Sequence, residues 1–280
     1  MPGLILEGGT FRPIFSCGVM DALLDHGVMF DYVSGVSAGI TYAASYLSRQ
    51  KGRNLEVLRR YRNDARYLGL RNLPHDRSVF GTDFVFDTIP NQLIPFDWET
   101  FSQYRGRYRI GVTNAVTGEE EYLDGMQMDR PCTMLRATCA LPLYFPPVKL
   151  GGETYYDGGL ADPIPIVRSL RDGNENNLIV LTQPAEYRKT LTAGTKFAAR
   201  YLRRRYPALT ETLLSRPKRY NDTVCFCHRL AERNDGHTVL LQPDEPLASF
   251  EKDVKKLEHG YEMGYNKACA RMDEIRALFR

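Results

Sequence analysis

Apolar and polar positions in the first fifty residues follow two alternating periods. Leu4-Ile5-Leu6 is a short unbroken apolar run closed by Glu7-Gly8-Gly9, the pattern of a strand buried on both faces. Apolar residues then recur at Ile14, Cys17, Val19, Met20, Leu23 and Leu24, close to a 3.6-residue period, and Gly27 supplies a helix stop. Residues 31–36 read as a second strand and residues 38–47 as a second helix ending near Gly52. A β-α-β-α order implies parallel strands joined by right-handed crossovers.

The later pattern is less regular. Residues 55–67 carry a helical stripe with a basic outer face. Residues 107–116 and 119–123 read as two strands joined at Thr117-Gly118. Residues 131–140 read as a helix with proline in its first turn, followed by the proline-rich stretch 141–147. Tyr155-Tyr156 leads as a short strand into Asp157-Gly158-Gly159. Residues 178–181 and 237–241 are further strands. A 3–4 stripe from Phe250 to Phe279 predicts one terminal helix docked on the core. The expected architecture is one α/β domain over residues 1–280 with a mainly parallel sheet.

Composition narrows the class without naming a reaction. The 280 residues are 43% hydrophobic and 25% charged, and 37 basic against 34 acidic residues leave +3, which argues against a general polyanion binder. No apolar run reaches the ~18 residues of a membrane span. The opening Met1-Pro2-Gly3 shows no basic leader, and six scattered cysteines read as buried thiols, so a cytoplasmic protein is expected. Cys225-x-Cys227-His228 lacks a second pair at metal spacing, and no metal is expected there. The near-neutral total hides an imbalance. Residues 187–233 hold twelve cationic and three acidic residues, a local +9, interleaved with tyrosines and leucines. Residues 187–235 are therefore read as a basic helical segment, either a solvated face or a lid or membrane-facing region that meets anionic lipid from the periphery. No nucleic-acid motif accompanies it.

Three short motifs carry chemistry. Gly35-Val36-Ser37-Ala38-Gly39 is G-x-S-x-G between a predicted strand and helix, where a tight turn lifts a serine hydroxyl above the strand end and aims a helix N-terminus at it. Glu7-Gly8-Gly9-Thr10-Phe11-Arg12 occupies the preceding strand-to-helix loop, and its exposed N–H groups suit an oxyanion or a phosphate, with Arg12 holding a phosphate or locking the loop. Neither G-x-G-x-x-G nor a P-loop fits it. Asp157-Gly158-Gly159 follows a strand. Of the five histidines, only His228, His237 and His259 could complete a Ser-Asp-His order, and none falls in the expected loop. An aspartate can itself serve as base for a serine when the pair is partly desolvated.

Taken in order, these segments resemble the patatin-like phospholipases. Residues 6–15 fall on the family's Gly-rich loop with its following arginine, residues 35–39 on its nucleophile elbow, and Ala137-Thr138-Cys139-Ala140-Leu141-Pro142 with Phe145-Pro146-Pro147 on the segment before the dyad aspartate. Residues 157–165 fall on its D-G-G/A motif with a downstream proline pair. The resemblance implies a three-layer α/β/α fold and a serine lipid acyl hydrolase without cofactor, acting on a lipid or ester substrate. It assigns Ser37 as nucleophile and Asp157 as general base. The oxyanion donors come from the Gly8-Gly9-Thr10 loop, chiefly Gly9 and Thr10, helped by Ala38. Two departures stand out: Thr10 replaces the family's third glycine and Pro13 the glycine after the arginine. Two other readings remain open, a carboxylesterase with a Ser-His-Asp triad and a non-catalytic lipid-binding protein whose oxyanion hole is spoiled by Thr10 and Pro13.

Overall fold

A computed structural model describes all of residues 1–280. In chain order its elements are strand β1 (Gly3–Leu6), helix α1 (Ile14–Asp25), β2 (Tyr32–Val36), α2 (Ser37–Leu47), α3 (Arg53–Tyr61), a short α4 (Leu73–Asp76), a π-helical stretch (Phe84–Leu93), α5 (Trp98–Ser102), β3 (Arg107–Asn114), β4 (Glu120–Asp124), α6 (Thr133–Thr138), β5 (Val148–Leu150), β6 (Glu153–Asp157), α7 (Ile166–Arg171), β7 (Asn177–Val180), α8 (Ala193–Leu202), α9 (Pro207–Glu232), β8 (Thr238–Leu241), α10 (Val254–Ala270) and α11 (Met272–Ala277). The eight strands form one sheet ordered β5-β6-β3-β2-β1-β7-β8, with β4 also on β3. The five strands from β3 to β8 along that path are parallel neighbours. β4 and β6 run antiparallel to β3, and β5 antiparallel to β6.

The unbroken apolar runs of the central strands follow from burial on both faces. Leu4, Leu6, Val33, Leu178 and Val180 face a core shared with α1, α2, α10 and α11. The alternate residues Ile5, Tyr32, Ile179 and Leu181 face Tyr220, Val224, Cys227 and Leu230 of α9. The result is the three-layer α/β/α sandwich that the resemblance implied. No helix is long and apolar enough to cross a membrane.

The register of β3 positions the chemistry. β2 pairs with residues 107–111 of β3 while β4 pairs with residues 109–113, so the two occupy opposite edges. β6 pairs with residues 112–114 while β4 still covers Val112 and Thr113, so β6 continues along the edge that β2 has just left. β2 runs parallel to β3 and stops opposite Gly111; β6 runs antiparallel and stops opposite Val112. The carboxyl ends of the two strands therefore meet head to head, one delivering Ser37 and the other Asp157.

Several expected boundaries shift. The helix expected over residues 131–140 begins at Thr133, because Cys132 takes a left-handed φ of 55° and leaves Pro131 outside. The stripe over residues 55–67 forms a helix only as far as Tyr61. The single terminal helix is two helices broken at Arg271, whose guanidinium binds the Leu240 carbonyl at 2.8 Å and so ties the break to β8. Phe250 lies outside both and packs on Tyr144 and Phe80. The basic segment divides. α9 is a packed layer on the sheet, so the lid or membrane-facing reading does not extend to its buried face. α8 keeps Phe197 and Tyr201 exposed, at 61% and 71%.

Candidate active site

Ser37 begins α2 directly after β2, with a left-handed φ of 54°. A non-glycine residue is held there only when its surroundings fix it. Here the fixing comes from the neighbouring strand β1 and from α6. A Cβ on Gly35 would lie 2.8 Å from the Leu6 carbonyl oxygen, and one on Gly39 would lie 2.2 Å from that of Glu7, so only glycine lets the elbow press against β1. The Ser37 N–H donates to Thr138 Oγ1 at 2.8 Å, and the Thr138 hydroxyl donates to the Gly111 carbonyl at 2.5 Å. Thr138, buried at the end of α6, thus pins the elbow to β3.

Asp157 is held as firmly. Its N–H donates to the Ala140 carbonyl at 3.0 Å, and its own carbonyl accepts from the Thr113 hydroxyl at 2.8 Å. Asp157 Oδ1 accepts the Gly159 N–H at 2.8 Å, while the buried Oδ2 has no hydrogen-bond partner. Burial raises its pKa above the ordinary aspartate value; the charge of Arg216, the Ser37 hydroxyl and the Gly159 N–H pull it partly back. The serine hydroxyl is near enough to favour the carboxylate, yet the pair does not meet the geometry of a closed hydrogen bond in this resting arrangement, and catalytic hydrogen bonds often tighten only around substrate. Burial, and after it the charge of Asp157, pushes the thiol of neighbouring Cys139 up to about 12, leaving it neutral.

The glycine-rich loop closes over the elbow. A Cβ on Gly8 would come within 2.8 Å of Ser37 Cβ. Gly9 has a φ of 150° and lies against the guanidinium of Arg12, which donates to the hydroxyls of Ser249 and Thr182. The Thr182 hydroxyl in turn donates to the Gly8 carbonyl at 3.1 Å. Arg12 therefore locks the loop. The N–H groups of Gly8, Gly9, Thr10 and Ala38 donate no hydrogen bond inside the protein. Thr10 adopts a φ of 58°, the conformation its β-branched side chain opposes, and Pro13 sits immediately before α1, where its missing N–H is not needed. Thr10→Gly is expected to raise unfolding stability by about 1 kcal/mol, the release of left-handed strain less the entropy that glycine adds to the unfolded chain. Urea denaturation measures it, and a loss of stability would mean that Thr10 side-chain contacts outweigh the strain.

Two cavities meet at Ser37. One, of about 640 Å³, is apolar and includes Phe11, Tyr42, Phe80 and Phe86. It shares Thr41, Tyr42, Tyr67, Val85 and Phe86 with a further apolar cavity of about 580 Å³ behind it. The other, of about 760 Å³, is polar and contains Asp157 and the loop residues Gly8, Gly9 and Thr10.

A family model described as patatin-like phospholipase matches residues 4–168, more than half of the chain. The chain belongs to the patatin-like phospholipase family. A second model, described as a domain of unknown function (DUF6363), matches residues 206–280, the stretch holding α9, β8, α10 and α11. Over 189 residues the chain is 25% identical to "Uncharacterized protein YjjU" of Escherichia coli (strain K12), covering 65% of this chain and 52% of that protein. Over 282 residues it is 23% identical to "Lysophospholipase NTE1" of Cryptococcus neoformans var. neoformans serotype D (strain JEC21), covering 94% of this chain and 17% of that protein. It thus spans about half the length of the first relative and under a fifth of the second. Among solved structures, VipD from Legionella pneumophila aligns with 97% of this chain and 66% of its own, at TM-score 0.48 and 13% identity.

In this patatin-like chain none of the five histidines lines either cavity that contains Ser37. His228 lies within α9, His259 within α10, and exposed His237 contacts Asn176. Three residues with no role assigned from the sequence also reach the site, Arg216 and Lys189 outside every motif and Glu7 at the start of the glycine-rich one. Arg216 Nε donates to the Gly159 carbonyl at 2.7 Å, bracing the turn after Asp157. Lys189 lines the polar cavity. Buried Glu7 accepts the Thr182 N–H at 2.6 Å and the Tyr220 hydroxyl at 3.0 Å, tying β1 to the strand end of β7 and to α9. Arg216 and Lys189 belong to the basic segment, where sequence spacing offered only a solvated or lipid-facing surface.

Proposed function

We propose that the protein is a serine lipid acyl hydrolase working through a Ser37-Asp157 dyad. The observation that carries this reading is the head-to-head meeting of β2 and β6. It sets a strained serine beside a buried aspartate whose Oδ2 is free, at the junction of an apolar and a polar cavity. An acyl chain enters the apolar cavity and its ester carbonyl reaches Ser37. Ser37 Oγ attacks the carbonyl carbon while its proton passes to Asp157 Oδ2. The oxyanion accepts N–H groups from Gly9, Thr10 and Ala38, a stabilisation of about 3–4 kcal/mol per donor in serine hydrolases. The bond to the leaving alcohol breaks as Asp157 returns the proton to it. Water, deprotonated by Asp157, then attacks the acyl-serine carbonyl, the bond to Ser37 Oγ breaks as Asp157 returns the proton to that oxygen, and the fatty acid is released. The relatives named lysophospholipase support ester hydrolysis of lipids at low identity. The test is a fluorophosphonate probe with peptide mapping. Labelling at Ser37 is expected; an unlabelled Ser37 in a folded sample would leave a lipid-binding protein.

Access to lipid involves α8 in the same proposal. Its exposed Phe197 and Tyr201 stand beside exposed Lys196, Arg200, Arg203, Arg204 and Arg205, an aromatic and cationic face suited to an anionic bilayer surface. Sedimentation with vesicles containing 30 mol% phosphatidylserine is expected to exceed that with pure phosphatidylcholine several-fold at low salt and to fall in Phe197→Ser/Tyr201→Ser. Equal binding to both vesicles would dismiss the electrostatic contact.

A further inference from the structure

The polar cavity beside Ser37 holds three cations, Arg12, Lys189 and Arg216, and two carboxylates, Glu7 and Asp157. The carboxylates do not neutralise the cations by contact. Glu7 is engaged by the Thr182 N–H and the Tyr220 hydroxyl, and Asp157 by the Gly159 N–H. Arg12, Lys189 and Arg216 form no ion pair with either of them. The Lys189 backbone is fixed by a reciprocal pair of hydrogen bonds with the Asn221 side chain, at 2.9 and 3.0 Å. Its ammonium rests over the Tyr220 ring, 4.7 Å from the centroid, with the Tyr187 ring 5.9 Å away. Partial burial, with Arg216 and Arg12 nearby, depresses the Lys189 pKa to about 8, and burial lowers that of Arg216 as well. Gathered cations without ion-pair partners are unfavourable by themselves and become favourable once an anion enters. Two guanidiniums and an ammonium match the oxygens of a phosphate group.

The cavity also has aromatic walls, Tyr144, Tyr187, Tyr220 and Phe250, which would ordinarily suit a quaternary ammonium. Charge decides against that guest. Lys189 already covers the Tyr220 face, and with three cations against two carboxylates the cavity keeps a net positive charge that disfavours a further cation. On the opposite side of Ser37 the cavity is apolar. A molecule spanning both therefore carries an acyl chain at one end and a phosphate at the other, with the ester between them.

We propose that Arg12, Lys189 and Arg216 form the headgroup subsite of the enzyme and select lysophospholipids whose phosphate bears net negative charge and no quaternary ammonium. The inference rests on Ser37 being the nucleophile. Lys189 is the specificity-determining residue most open to test, since Arg12 also locks the loop and Arg216 also braces the turn after Asp157. The test compares kcat/KM of the full chain for 1-oleoyl-lysophosphatidate and 1-oleoyl-lysophosphatidylcholine in the same detergent at pH 7. A preference of at least tenfold for lysophosphatidate is expected, reduced about tenfold in Lys189→Gln and retained in Lys189→Arg. Equal or reversed preference, or a ratio unmoved in Lys189→Gln, overturns the proposal. If Lys189→Gln does not fold, the wild-type ratio and Lys189→Arg decide alone. Inorganic phosphate supplies the second arm. Millimolar phosphate is expected to compete only weakly with lysophosphatidate; strong, Lys189-dependent phosphate binding without a headgroup preference would mark a free-phosphate site and overturn the headgroup role. Calorimetry on Ser37→Ala separates this proposal from the hydrolase reading. Tighter binding of lysophosphatidate than of lysophosphatidylcholine supports the subsite even if no ester is cleaved. Ser37-dependent cleavage without headgroup preference keeps the hydrolase and removes the subsite.

Discussion

Ser37→Ala is expected to lower kcat for lysophospholipid hydrolysis at least about 10⁴-fold and to abolish fluorophosphonate labelling. Loss of a catalytic nucleophile leaves only binding and oxyanion stabilisation behind. The fold should tolerate the change. The elbow's restraints are the Ser37 N–H on Thr138 and the close approach of Gly35 and Gly39 to β1, and none uses the serine hydroxyl. A melting temperature close to wild type, with turnover lost, is therefore the expected pair of results. Residual turnover near wild type would place the nucleophile elsewhere. The measurement is product fatty acid per enzyme over time, with the wild type run in parallel.

Asp157→Asn is expected to cost about 10⁴-fold in kcat, the upper end of what a positioned general base contributes. The substitution keeps shape and the Oδ1 contact to Gly159 while removing the proton acceptor at Oδ2. A carboxylesterase triad predicts instead that one of His228, His237 or His259 is essential; histidine-to-alanine variants are expected to retain turnover, because none lines the cavities around Ser37. The pH profile gives a second readout. The base works only when ionised, and burial raises its pKa above the aspartate norm of 3.8, so the acid limb of kcat/KM should lie above that value. The charge of Arg216 opposes that shift, so Arg216→Gln should move the acid limb to higher pH. A limb that stays in place in Arg216→Gln, or an Asp157→Asn variant with ordinary turnover, would remove Asp157 from the role of base.

The motif residues were legible because each motif is complete within a few consecutive residues. Gly35 and Gly39 flank Ser37 within one strand-turn-helix, so the pattern is readable in five residues, although what excludes a side chain there is the carbonyls of Leu6 and Glu7 at the end of β1. Gly8 and Gly9 after β1 and Gly159 after Asp157 are legible in the same way, as short glycine runs that follow a strand. The resemblance to patatin-like phospholipases rests on the order of such motifs, and the match over residues 4–168 agrees with it. Thr138 carries no signal of its own in the sequence, because its hydroxyl bridge from Ser37 to Gly111 needs α6, α2 and β3 assembled. The terminal stripe was periodic enough to predict a helix but carried no sign of the break at Arg271, which is set by a contact with β8. The basic segment shows the same limit. Its charge count was visible, whereas the division into outward α8 and inward Arg216 and Lys189 was not.

By itself the sequence determined the parallel α/β order of the central strands, the glycine-rich turns and the residue types at the carboxyl ends of β2 and β6, because these are carried by apolar periodicity and by motifs a few residues long. Only the tertiary structure decided that β2 and β6 share one edge of β3 and so bring Ser37 to Asp157, residues separated by 120 positions. It alone decided that an apolar and a cationic cavity meet at that serine. Pairing between distant strands is settled by which faces can be buried together, and that choice is written in the whole core rather than in any one segment.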